Sequence, residues 1–206
     1  MNTQKNISKI ISVLAHPLLI PTYAFLILEN YAPLLMFLNF KAKVIISLFI
    51  FITTFVLPLA GIPLLRLLKM LKYYRLDEKR ERIIPLFITF IFYNIAYYYL
   101  KNINAPSFHL VKTFLISSTL VLFITMLISI RWKISAHLIG AGGLIGMLIA
   151  IWFRFPIDIL SPLMIFVFVA GLLGYARLIL RKHHPAQVYS SFIIGFVIVL
   201  LTMTLL

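Results

Sequence analysis

Apolar residues in this chain run in long, nearly unbroken segments. Seven of them approach twenty residues: Ile10–Leu38, Val44–Leu68, Ile83–Leu100, Val111–Ile130, His137–Phe153, Ile157–Leu180 and Pro185–Leu206. About twenty residues of helix are needed to cross a hydrocarbon layer roughly 30 Å thick. Backbone polar groups in lipid must pair within their own segment, so each run is expected to be a helix rather than a strand. The pattern predicts an all-α fold, a polytopic transmembrane helix bundle of six to seven spans. The count depends on the first run, where Pro17, Pro21 and Pro33 either kink the helix or turn part of it back on itself. Lys5 and Lys9 precede that run, which lacks a small-residue cleavage site and reads as a retained span rather than a signal peptide.

Composition agrees with lipid as the solvent. The chain has 206 residues, of which 63% are hydrophobic and 12% charged, with a mean hydropathy of +1.07. Soluble domains carry roughly 25% charged residues and about half apolar ones. Too little polar surface exists to cover a water-soluble body, and no linker composition divides the chain. Residues 1–206 are therefore expected to form a single membrane-embedded domain. Cysteine is absent, which excludes disulfides and thiolate metal sites. A net charge of +14 would suggest nucleic acid as a partner in a soluble protein. Here most Lys and Arg sit at the ends of apolar runs, where they meet headgroups and anionic lipids, so the expected partner is membrane lipid and not nucleic acid.

Interfacial residues mark the ends of the runs. Trp132 and Trp152 stand one hydrocarbon thickness apart along a helix, and Tyr97, Tyr98 and Tyr99 precede Lys101. Gly140, Gly142, Gly143, Gly146, Gly171 and Gly174 are expected at helix–helix contacts, with Gly142 and Gly146 making a G-x-x-x-G pair. Alternating the runs across the membrane puts the N-terminus, 66–82, 131–135 and 177–184 on one face. The opposite face takes 39–43, 101–109 and 154–158. Fourteen of the nineteen Lys and Arg fall on the first face and five on the second, counting Lys112 just past 101–109. The positive-inside rule then assigns the first face to the cytoplasm.

That first face also gathers the reactive side chains. It holds Lys72, Arg75, Lys79, Arg80 and Arg82, then Ser135 and His137, then Arg177, His183, His184 and Gln187. Pro185 suits the first turn of a helix, which places His183 and His184 just before the last span. Ser135 is a candidate N-cap of the fifth span, with His137 in its first turn. Helix N-termini present free N–H groups and partial positive charge, and two of them meeting at one point would favour an oxyanion. Arg177, at the end of the sixth span, offers a planar fork suited to phosphate oxygens. An imidazole can attack phosphorus, and a second can protonate the leaving oxygen and then activate water. Gln187, one turn after His183, could set the tautomer of its ring. No metal site is indicated by clustered Cys or carboxylates. His16, between Ala15 and Pro17, is expected to be buried and to serve either as packing or as a pocket liner. Glu29 stays unassigned, and Asp77, Glu78 and Glu81 are expected to pair with basic neighbours.

These residues resemble the type 2 phosphatidic acid phosphatase family of integral-membrane lipid phosphatases. Its pattern has three blocks: Lys-x6-Arg-Pro, Pro-Ser-Gly-His and Ser-Arg-x5-His-x3-Asp. The third is matched by Ala176-Arg177, five residues, His183, three residues and Gln187, and the second by Ile134-Ser135-Ala136-His137. The first is degenerate: Arg75-x6-Arg82 keeps its spacing, Lys79 is a competing cation, and Pro85 comes two residues late. An apolar hairpin of about fifty residues separates the first two blocks. Gln187 replaces the usual Asp, as it does in relatives that act on polyprenyl diphosphates such as the dolichyl diphosphatases. Their His-Thr-x-x-Gln-Val string is similar to His183-His184-Pro185-Ala186-Gln187-Val188. The resemblance covers roughly Lys72 to Leu206, with residues 1–68 as additional N-terminal spans. It implies a nucleophile at His183, an acid/base at His137, Gln187 beside the nucleophile, and phosphate bound by Arg177, Ser135, Arg82, Lys79 and Arg75. It implies no metal or other cofactor, a lipid phosphate or diphosphate as substrate, and the bacterial inner membrane as location. Many bacterial relatives carry the site on the outer side, opposite to the charge bias, so the side stays open.

Overall fold

The computed structural model describes residues 2–36, 38–67 and 83–206, and among them every regular element is a helix. In order these are α1 (Asn2–Leu14), α2 (Ile20–Tyr31), α3 (Pro33–Met36), α4 (Phe40–Phe51), α5 (Leu57–Leu67), α6 (Ile83–Lys101), α7 (His109–Arg131), α8 (Ala136–Arg154), α9 (Leu160–Ile179) and α10 (Pro185–Leu205). Among the described residues, seven helical segments are long and apolar enough to cross a membrane: Thr3–Tyr31, Phe40–Gly61, and α6 through α10. The chain is an all-α polytopic bundle. Its boundaries lie within a few residues of the apolar runs, except that the first span begins earlier, at Thr3, and ends at Tyr31. Proline explains that ending. Ala32 is held extended (ψ 119°) before Pro33, and a residue preceding proline is disfavoured in the helical region.

The first span is broken. His16 is extended (ψ 134°) before Pro17, a short 3-10 turn follows over Pro17–Leu19, and α2 resumes at Ile20. The second span carries a π-turn over Ile52–Val56, just ahead of Pro58. Proline cannot donate to the carbonyl four residues back, and a wider turn accommodates the loss. That turn sets the Phe55 ring 5.9 Å from the His16 ring, edge to face.

α8 is the central helix. Two thirds of its spanning window (67%) is buried, against at most 44% for any other span. Its most extensive partner is α10. The contact is close because it is made of glycine: a Cβ on Gly142 or Gly146 would collide with the Phe192 or Phe196 carbonyl, and one on Gly195 with the Ile139 carbonyl. Small residues that admit backbone-to-backbone approach are how helices associate in lipid. Gly171 differs from the other glycines singled out in the sequence, since nothing lies within 4 Å of a Cβ placed there. Further out, α6 pairs with α7, α1 lies on α9, and α2 packs against α4 and α7. Several hydroxyls inside the spans are satisfied locally: Thr113, Ser117 and Thr125 each donate to the carbonyl four residues earlier. Thr202 of α10 also donates to Ser117 of α7 at 2.6 Å.

Candidate functional site

Two helix starts and one helix end meet on the face where the sequence concentrates its cations. α9 closes with Arg177 in its last turn. The chain then reverses in a few residues: Lys182 N–H donates to the Arg177 carbonyl (3.2 Å), and Arg181 takes the left-handed backbone, φ 50°. α10 begins at Pro185, with His184 extended (ψ 158°) before it. His183 and Gln187 are both buried at this corner.

Gln187 fixes the His183 ring. Its Oε1 accepts from the His184 backbone N–H (3.1 Å), which establishes which end of the amide is oxygen. The same Oε1 lies 3.3 Å from His183 Nδ1. An amide oxygen only accepts, so Nδ1 carries the proton and the lone pair of the neutral ring sits on Nε2.

His137 stands in the first turn of α8 and is oriented by the first span: its Nε2 is 3.1 Å from the Ser12 carbonyl oxygen. A carbonyl also only accepts, so Nε2 holds the proton and Nδ1 the lone pair. Ser135 occupies the N-cap position of α8, and its carbonyl accepts from Ile139 N–H. The Ser135 side chain makes no capping bond. It is fully buried, and its Oγ has no hydrogen-bond partner among the described residues. Its backbone N–H donates to Ser191 Oγ (2.8 Å), and Ser191 in turn donates to the Gln187 carbonyl. The starts of α8 and α10 are thereby tied together by one serine, which the sequence reading does not single out.

Arg177, His137 and His183 line one cavity of about 260 Å³ together with His16, Thr89, Thr125 and Ser129. Pro85, from the degenerate first block, is also in its wall, whereas Ser135 is not among the lining residues. Arg75, Lys79 and Arg82 lie outside the described residues, as do Lys72 and Arg80. His184 is exposed. Of the two roles expected for His16, packing or pocket liner, the structure shows the second. The His16 ring centroid lies 5.7 Å from that of His137 at an interplanar angle of 75°. The described lining contains no carboxylate and one permanent cation, Arg177, so it suits an anion. Among the described residues, no three His, Cys, Asp or Glu side chains converge as a metal site requires.

A narrower chamber of about 80 Å³ adjoins this cavity and shares Pro17, Leu18, Leu86, Thr89, Thr125 and Ala136 with it. Its remaining wall, including Phe114, Val121, Leu122, Ile139 and Val199, is almost wholly apolar and lies within the bundle. A polar compartment carrying a cation thus opens onto an apolar one. Comparisons with family models, curated proteins and solved structures find no match to this chain.

Proposed function

We propose that the protein is an integral-membrane lipid phosphatase that acts on a lipid phosphate or diphosphate through a phosphohistidine intermediate. The observation that carries this reading is the joint placement of Arg177, His137 and His183 around one cavity, with the tautomers of both rings set by neighbours. The adjoining apolar chamber supports an amphiphilic ligand, headgroup beside Arg177 and chain between the helices. The motif resemblance supplies the substrate class, a polyprenyl diphosphate or a phosphatidate-like lipid, and the setting, a bacterial inner membrane.

The chemistry runs in two displacements. In the first, His183 Nε2 attacks phosphorus, the P–N bond forms and the ester or anhydride P–O bond breaks. His137, doubly protonated as it enters this step, gives the proton on Nδ1 to the leaving oxygen and is left as the neutral tautomer with its lone pair on Nδ1. In the second, His137 Nδ1 accepts a proton from water as the water oxygen attacks phosphorus, and the P–N bond breaks to release inorganic phosphate. Arg177 holds the non-bridging oxygens, a fork geometry that Lys does not offer. Gln187 carries no charge. It orients His183 without stabilising an imidazolium as a carboxylate would.

Phosphate release in detergent from polyprenyl diphosphate, phosphatidate, phosphatidylglycerophosphate and lipid A tests this reading. Release without added divalent metal, inhibited by vanadate and abolished in His183→Ala, is the expected outcome. Full activity in His183→Ala would overturn the mechanism. Saturable lipid binding with no turnover, unchanged in Gln187→Asp, would instead identify a lipid-phosphate-binding or transport-related protein.

A further inference from the structure

The first span breaks at a histidine, and that break faces the cavity. His16 lies between Leu14 and Pro17, and its Nδ1 accepts the Leu18 backbone N–H at 3.3 Å. An amide N–H only donates, so Nδ1 is unprotonated and the ring proton sits on Nε2, at the far end of the ring from its own backbone. The ring is held on two sides, by Phe55 at 5.9 Å and by His137 at 5.7 Å, both edge to face. It lines the same cavity as Arg177, His137 and His183. Among the described residues, His16 Nε2 makes no hydrogen bond. The half-buried ring belongs to a cavity whose described lining offers no carboxylate, so this N–H is available to an acceptor that a ligand brings.

We infer that His16 is a phosphate-binding residue, its Nε2–H donating to a non-bridging phosphate oxygen that Arg177 also attracts. This rests on reading the cavity as a phosphate site, but it extends that site to a span outside the motif blocks. The chemistry favours a neutral donor here. A neutral imidazole N–H binds with direction and adds no further charge to the site. At the break, the extended residue before Pro17 stands beside the start of α8, its ring 5.7 Å from that of His137.

Two substitutions separate this role from the structural one. His16→Asn keeps an oxygen in place to accept the Leu18 N–H, since Asn is a favoured N-cap, and withdraws the distant donor. His16→Phe keeps the ring packing and removes both nitrogens. Inorganic phosphate is the probe, titrated against the full chain in detergent by phosphorus NMR or calorimetry. Both variants are expected to bind it about tenfold more weakly than the wild type, the loss typical of one hydrogen bond to a charged group. Phe168→Ala, on the lipid-facing side of α9, is expected to bind as the wild type does. His16→Asn is expected to melt at the wild-type temperature, so it decides the matter even where His16→Phe is destabilised. Wild-type affinity in His16→Asn would overturn the assignment and leave the phosphate site standing. Phosphate binding by the wild type without lipid dephosphorylation would remove the hydrolase and keep His16 as a ligand, and no binding by the wild type would overturn both.

Discussion

A single oxygen decides what His183 can do. Gln187 Oε1 takes the His184 N–H and the His183 Nδ1–H together, so it closes the start of α10 and sets the ring in one stroke. Gln187→Leu is expected to lower unfolding stability by about 1–2 kcal/mol, because a buried corner then loses the acceptor for a backbone N–H. Thermal unfolding in detergent measures this, and phosphate release in the same variant is expected to fall. Arg181 poses the opposite case. It holds φ 50° without being glycine, in the turn that brings His183 back beside Arg177. Arg181→Gly is expected to raise stability by roughly 1 kcal/mol or less, since the left-handed region costs a side chain about that much. At this scale the sequence is informative where partners are close along the chain. The spacing of His183 and Gln187 places them one helical turn apart, and the contact is there. It is silent where partners are remote: the Ser12 carbonyl that orients His137 lies 125 residues away, and Ser191 reaches Ser135 across 56. A backbone carbonyl leaves no mark in composition, and a serine in an apolar helix resembles any other serine.

Among the elements, the pairing of α8 with α10 matters most, because each carries one of the two histidines at its start. Three glycines let the helices touch backbone to backbone, so even a methyl group is too large. Gly146→Ala is expected to destabilise the bundle by a few kcal/mol through overpacking. It is also expected to lower phosphate release by moving His137 relative to His183. Gly171→Ala, by contrast, is expected to be neutral or stabilising by up to about 1 kcal/mol, since its Cβ enters open space and alanine favours the helix. Paired melting curves for the two variants check this contrast. The G-x-x-x-G spacing in the sequence marks Gly142 and Gly146 as contact residues, and they are. Gly171 carries the same expectation and does not meet it, because spacing within one helix says nothing about which neighbour faces it. The breaks in the first two spans follow the prolines in the sequence, whereas their use does not. Only the folded chain shows that the His16 break reaches the cavity and that the Phe55 turn packs against its ring.

Across the whole molecule, Arg177, His137, His183 and His16 belong to one membrane face and Arg154 to the other, where it donates to the Met203 carbonyl at 2.9 Å. Exposed positions on the two faces should therefore differ in access from one side of the membrane. Lys101→Cys and Arg181→Cys, each the only cysteine in the chain, are expected to react with an impermeant thiol reagent from opposite sides. Equal labelling of both in sealed vesicles of uniform orientation would contradict the alternation of spans. The sequence by itself determined that this protein is a helical bundle of membrane length, because burial in lipid depends on how many apolar residues follow one another. It also determined which end of each helix carries its charges. The tertiary structure alone decided which of those ends meet. Convergence of Ser12, His16, His137, Arg177 and His183 depends on how helices distant in sequence pack, and that is set by shape complementarity at glycines and proline breaks rather than by any local run of residues.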